Sequence, residues 1–274
     1  VAIAMTAIKG LHETGQMPDR PVWLLMTTDE ETGSDHSHDV ILETARQCGL
    51  VLVMEPATRE GAIKSWRKGI ATYTLGVKGR ASHAGNAPEQ GINAIIELAQ
   101  QALVINKMND LKYGTSVSMT MIKGGSAGNV IPAHAEAYID TRMMDLKAME
   151  RVHNQLMALQ PLTPGAELTV ERIHHRPPME RQPAVVDQAI AIGKALGVTV
   201  RDDGSGGGSD GNLTAAAGIP TLDGLGAHGD GLHALHVQTE QGLMQLGTNR
   251  AQLPADVIKL HGAHAVADLC PRAV

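Results

Sequence analysis

Two continuous apolar runs, each ending in acidic residues, most constrain what this chain can fold into. Pro21-Val22-Trp23-Leu24-Leu25-Met26 leads into Thr27-Thr28-Asp29-Glu30-Glu31-Thr32-Gly33-Ser34, and Leu50-Val51-Leu52-Val53-Met54 leads into Glu55-Pro56. Residues 21–28 and 50–54 read as strands buried on both faces, the pattern of a parallel-type sheet. Segments of helical period flank them. Residues 1–14 close near Thr14-Gly15, and residues 34–47 place Val40, Ile41, Leu42 and Ala45 on a buried side with Ser34 as N-cap. Helix, strand, helix, strand is the alternation of an α/β sheet with helices on its faces. Ligands of such sheets bind beyond the carboxyl ends of the strands. Glu30, Glu31 and Glu55 all fall at that edge.

Three adjacent carboxylates are costly, because like charges repel and raise one another's pKa. A solvated turn opening a helix would tolerate them, since acids are favoured at helix N-termini. Alternatively, one glutamate binds a metal ion and its neighbour works on the metal-bound water. The acids alone leave both readings open.

The period changes after Lys68-Gly69. Residues 71–78, 116–122 and 133–142 alternate as strands with one exposed face, and 167–173 reads as a fourth strand. Helical segments over 88–106 and 146–159 lie between them. The order β-α-β-β-α-β is that of a split βαβ, ferredoxin-like α+β domain. The chain therefore divides into residues 1–68 with 177–274, one domain that carries the acid-tipped strands, and residues 69–176, an insertion, with Pro177-Pro178 marking the return. Residues 184–197 form a further amphipathic helix.

Gly204-Ser205-Gly206-Gly207-Gly208-Ser209-Asp210-Gly211 has a linker's composition. It also precedes a short helical run, Asn212 to Ala217, and a strand, Pro220-Thr221-Leu222. A Gly-rich turn opening a helix presents backbone N–H groups as an anion cradle. Linker and cradle both remain open. His233 lies in a loop past that strand, on the acids' edge if the strand joins the sheet in parallel. Asp35-His36-Ser37-His38-Asp39 is rich in ligand types, but neighbours on a helix point apart, so it reads as a solvated first turn. His174-His175 reads as surface. His261 and His264 share a helix face without an accompanying acid.

Composition removes other classes. The chain has 274 residues, 43% hydrophobic and 19% charged, enough to bury a sizeable core. Phe is absent and Met numbers 13, so aliphatic and thioether groups must fill that core. A net charge of −6 without a Lys/Arg cluster argues against nucleic-acid and membrane-surface partners. Cys48 and Cys270 make neither a disulfide framework nor a cysteine metal site and suit a reducing compartment. Val1 to Leu11 opens inside a helical pattern with no N-cap before it, so the first domain is expected to be incomplete at its N-terminal side.

An ordered set of motifs resembles the zinc-dependent M20 peptidases, the group that includes glutamate carboxypeptidases, acetylornithine deacetylase and succinyl-diaminopimelate desuccinylase. The set comprises Thr28-Asp29-Glu30-Glu31-Thr32-Gly33-Ser34, Met54-Glu55-Pro56, Lys68-Gly69, and Gly79-Arg80-Ala81-Ser82-His83-Ala84-Gly85. It continues with Pro88-Glu89, Gly91-Ile92-Asn93-Ala94, Gly128-Asn129-Val130-Ile131-Pro132-Ala133, Asp140-Thr141-Arg142 and Arg176-Pro177-Pro178-Met179. It ends with Gly206-Gly207-Gly208-Ser209-Asp210 and Leu222-Asp223-Gly224-Leu225-Gly226 leading to His233. The carboxypeptidase G2-like branch is the nearest.

The resemblance implies two zinc ions and hydrolysis of amide bonds in peptidyl or N-acyl amino acids. Glu30 resembles the general base acting on a zinc-bound water. Glu31 and His233 resemble ligands of one zinc, and Glu55 a ligand of the other. His83 resembles the histidine that polarises the scissile carbonyl in a partner subunit. Asn129 and Arg142 resemble substrate-holding residues, and Gly207 and Gly208 the backbone cradle beside them. The insertion resembles a lid and dimerisation domain, implying a homodimer. Two family motifs that supply the remaining zinc ligands, a His-x-Asp and an Asp-Met-Lys-Gly-Gly-like segment, are absent from the chain. A catalytically incompetent fragment or a dimeric binding module is therefore the alternative.

Overall fold

The computed structural model describes residues 1–227 and, past them, backbone pairing alone at 229–230, 238–239 and 266–267. The chain forms two compact units, residues 1–67 with 179–274 and residues 68–178. Mixed parallel and antiparallel sheets make it an α/β chain interrupted by an α+β unit.

In the first unit, helix α1 spans Ala2–Glu13, strand β1 Val22–Trp23, helix α2 His38–Ala45, strand β2 Val51–Leu52 and strand β3 Ile63–Arg67. The insertion comprises β4 Gly69–Lys78, β5 Ser82–His83, α3 Ala94–Asn106, β6 Ser116–Gly124, β7 Val130–Ile131, β8 His134–Met143, α4 Leu146–Met157 and β9 Glu167–Arg176. The first unit resumes with α5 Pro183–Ala195, β10 Asp202–Ser205, α6 Asp210–Ala216 and β11 Thr221–Leu222.

The insertion's four long strands form an antiparallel sheet in the order β6-β8-β4-β9. Alternation builds its inner face. Ala71, Tyr73, Leu75 and Val77 of β4 and Ala135, Ala137, Ile139 and Met143 of β8 are buried against Leu98 and Ile105 of α3 and Met149, Val152 and Leu156 of α4. Methionine and aliphatic groups do fill the core of a chain without phenylalanine. Asn93 caps α3 by accepting from the Ile95 and Ile96 amides, and Asp145 caps α4 by accepting from Ala148. The helix expected from Pro88 therefore begins at Ala94. Pro88–Gln90 is a separate 3-10 turn, because Asn93 supplies the side-chain oxygen that a helix start needs.

In the first unit, parallel pairing joins β2 to β11 and β3 to β10. A smaller apolar cluster, Ala45, Cys48, Val51, Val53 and Ile219, lies beside β2. The strand expected over 21–28 is reduced to Val22–Trp23 and an isolated bridge at Met26, and helix α2 starts at His38 rather than Ser34. Ser34 is not its cap. With φ at 61° it is the single non-glycine residue of left-handed backbone among the described residues, and its hydroxyl is committed to Asp210. Val40, expected inside, is exposed. The Gly-rich segment is no linker. Gly204 lies flat beneath Trp66, where an added Cβ would fall 1.9 Å from the indole. Ser209, Asp210 and Asn212 are buried, and Ser209 with Asn212 closes a reciprocal capping box on α6.

Candidate active site

The acid turn is built by its own backbone. Glu30–Thr32 is a 3-10 turn, and Gly33, at φ 109°, closes it with its amide on the Glu30 carbonyl at 3.0 Å. Asp29 is a structural member of that turn. Its Oδ2 accepts the His36 and Ser37 amides at 2.9 and 3.0 Å. One of the three adjacent charges is thereby satisfied locally, and the Asp35–Asp39 segment supplies the donors. Glu30 is half-buried and Glu31 exposed.

Glu55 follows β2 and is half-buried. The Asp223–Ala227 segment runs beside it, with the Gly226 amide on the Glu55 carbonyl at 2.8 Å and the Ala57 amide on the Ala227 carbonyl at 3.2 Å. Gly226 has to be glycine, since a Cβ there would lie 2.5 Å from the Met54 carbonyl oxygen. Because β11 is parallel to β2, this segment leaves the sheet at the same edge as Glu55 and continues toward His233, which lies outside the described residues.

Beneath this edge sits a polar core built on Arg67 and Asp223, a pairing that no sequence motif points to. Arg67 and Asp223, 3% and 0% exposed, form a two-pronged pair, with Nε to Oδ2 at 2.6 Å and Nη2 to Oδ1 at 3.0 Å. The third guanidinium nitrogen donates to the carbonyls of Gly207 and Gly208 at 3.1 and 3.3 Å. Ser209 donates to Asp223 at 2.5 Å, and the Gly224 amide also binds that carboxylate. Ser34 joins Asp210, which ties the acid turn to the start of α6. The carbonyls of Gly207 and Gly208 thus face Arg67. Burial, then nearby Arg67, holds the Lys64 ammonium below the usual lysine range, against the attraction of Asp223 and Glu55. The signal available in sequence was the alternation of β3, which puts Ser65 and Arg67 on its buried side, where an arginine demands an acid. Which acid it would find was not readable.

In the inserted unit, β5 pairs with β7 and brings two predicted residues together. His83 lies opposite Val130, and the Ala84 amide donates to the Asn129 carbonyl at 2.9 Å. The exposed His83 ring accepts the Gly85 and Asn86 amides at Nδ1, both at 3.1 Å. Arg142 stands apart on β8, where its fork grips Asp140 two residues away at 2.8 and 2.9 Å. A substrate carboxylate would have to share or displace Asp140.

Among the described residues, no three His, Cys, Asp or Glu side chains converge on a metal position. Glu31 and Glu55 are oxygen donors of the kind zinc accepts, but a catalytic zinc normally takes three protein ligands. The described donors fit such an ion in type without completing its shell.

Residues 65–159 match the peptidase dimerisation domain of M20 proteins. The chain is 32% identical over 240 residues to carboxypeptidase G2 of Pseudomonas sp. (strain RS-16), covering 85% of this chain and 58% of that protein. It is 29% identical over 229 residues to succinyl-diaminopimelate desuccinylase of Pseudoalteromonas translucida (strain TAC 125), covering 76% and 59%. In fold it is similar to aminopeptidase PepT from Bacillus cereus ATCC 10987, with a TM-score of 0.60 at 22% identity over 74% of this chain and 57% of that one. The chain belongs to the M20 peptidase family. It spans somewhat under two thirds of the length of these relatives.

Proposed function

We propose that the protein hydrolyses amide bonds in peptidyl or N-acyl amino acids carrying a free α-carboxylate, as a zinc-dependent homodimer. The observation that carries this reading is the acid turn itself. Backbone amides occupy Asp29, and the two glutamates that follow it, Glu30 and Glu31, sit in the same tight turn past an apolar run, in the unit that also carries Glu55. The likeness to a carboxypeptidase and a desuccinylase, both named for splitting amide bonds, supports it.

Glu30 is the general base, taking a proton from the attacking water and delivering it to the leaving amine. Glu31, Glu55 and His233 are the zinc ligands this chain contributes, and the Lys64 ammonium offsets part of the negative charge of Glu55. Zinc, when bound, would lower the pKa of a water and polarise the substrate carbonyl. His83 acts across the proposed dimer, donating to the carbonyl oxygen at the other subunit's site as charge develops on it. Asn129, Arg142, Gly207 and Gly208 hold the substrate's polar ends.

Dimerisation through the inserted unit is supported by its domain match and by an apolar strip on one side of it. Ile96 and Leu103 of α3 and Ile122 of β6, on the helix-covered side of the sheet, are all more than half exposed, and β6 is an edge of that sheet. The reading is tested by release of free amino acid from N-acyl-glutamate substrates with zinc present. Glu30→Gln should lower the rate by about 10²–10⁴-fold. Equal rates in the two proteins would refute the reading.

A further inference from the structure

Neutral imidazole carries one N–H donor and one acceptor nitrogen, and what faces each nitrogen decides which is which. His83 is held in a tight turn. Its carbonyl accepts the Ala87 amide at 3.0 Å, the next residue's amide binds the Asn129 carbonyl, and its strand pairs with Val130–Ile131. Within that turn the Gly85 and Asn86 amides both aim at Nδ1 from 3.1 Å. Two N–H groups cannot be accepted by a nitrogen that itself bears a proton. At His38, by contrast, Nδ1 faces the Asp39 carboxylate, an acceptor that suits a protonated Nδ1.

We infer that the Gly85 and Asn86 amides fix His83 as the neutral Nε2–H tautomer, making it a hydrogen-bond donor to an oxygen acceptor rather than a base or a metal ligand at Nε2. The ring's own geometry turns Nε2 away from the two amides, and the side chain is exposed, so the N–H is offered outward. A lone pair on Nε2, needed to take a proton or bind zinc, is absent from this form. Gly85 and Asn86 are positioning residues that act through their backbones. Gly85 needs no special room, because a Cβ there would meet the His83 ring at 3.6 Å, an ordinary contact. The tautomer stands on the turn alone; assigning the donor to a substrate carbonyl oxygen rests on the hydrolase reading above.

The test is long-range ¹H–¹⁵N NMR of the full chain with ¹⁵N-labelled histidine and amides, at a pH where the ring is neutral. The expected spectrum shows a bare Nδ1, a protonated Nε2, and a scalar coupling across the hydrogen bond from an amide of Gly85 or Asn86 to Nδ1. Asn86→Pro deletes one donor and should raise the Nδ1–H fraction, whereas Asn86→Ala keeps the N–H and should not. A wild-type ring protonated at Nδ1, no amide coupling to Nδ1, or an unchanged tautomer ratio in Asn86→Pro would each overturn the inference. The wild-type coupling decides it even if the proline variant fails to fold. A chain with this tautomer that hydrolyses no N-acyl amino acid removes the hydrolase reading alone. A hydrolase with Nδ1–H on His83 removes this inference alone.

Discussion

Buried charge is the most consequential choice at the residue scale. Arg67 and Asp223 are out of water, and their pairing offsets the desolvation cost because the fork is two-pronged and Nη1 also finds two carbonyls. Arg67→Met would leave Asp223 buried with only Ser209 and the Gly224 amide. The expected loss is about 3–5 kcal/mol of stability in the first unit, read by chemical denaturation. A loss under about 1 kcal/mol would mean the pair is dispensable. At this scale the sequence was partly legible. Glu30, Glu31 and Glu55 stood out because each ends an apolar run. Asp29 looked like their equal, and only the turn geometry shows that its charge is consumed by two amides. Arg67 was opaque because its partner lies 156 residues away.

Elements began where side-chain oxygens allowed. Asn93, Asp145 and Ser209 set the starts of α3, α4 and α6. Where a different partner claimed the oxygen, as Asp210 claims Ser34, the expected helix started later. Glu97 shows one element clasping another. From inside α3 its buried carboxylate accepts Gln101 at 2.7 Å and the amides of Leu162 at 3.0 and 3.1 Å and Thr163 at 2.6 Å, beyond the end of α4. Burial pushes this carboxyl up, but those hydrogen bonds outweigh it and hold it below its usual value of 4.5. A carboxyl lowered by folding stabilises the fold above its unfolded value and loses that contribution as pH falls through the lower, folded one. The inserted unit should therefore lose stability on acidification below about 4.5. Glu97→Gln should be less stable at neutral pH and show a flatter acid limb, measured by thermal melting across pH. An identical acid limb in the variant would contradict this. Strand alternation made the inserted unit readable as a split βαβ, since its sheet has one covered face. The Gly-rich segment was ambiguous because composition does not reveal that Trp66 lies on Gly204 or that Arg67 grips the glycine carbonyls.

For the whole molecule, the two units differ in how much apolar surface they bury. Among the described residues, the inserted unit has a broad core between its sheet and two helices, whereas the first unit's cluster beside β2 is small. Helix α1 buries only Ala4 while Ile3, Met5 and Leu11 remain exposed. No helix among the described residues is long and apolar enough to cross a membrane. If the inserted unit joins two copies through α3 and β6, the double variant Leu103→Glu with Ile122→Glu should shift the protein from dimer to monomer in light scattering, with the fold of each copy retained. An unchanged mass would place the interface elsewhere.

The account rests most heavily on the acid turn serving zinc-dependent amide hydrolysis. The direct measurement is the rate at which chelator-stripped protein releases glutamate from an N-acyl-glutamate as zinc is returned. The account predicts a rate that rises with zinc to saturation in the unaltered protein, and that stays at the metal-free baseline in Glu31→Ala and Glu30→Ala. A rate indifferent to zinc, or one restored equally in both variants, would contradict it.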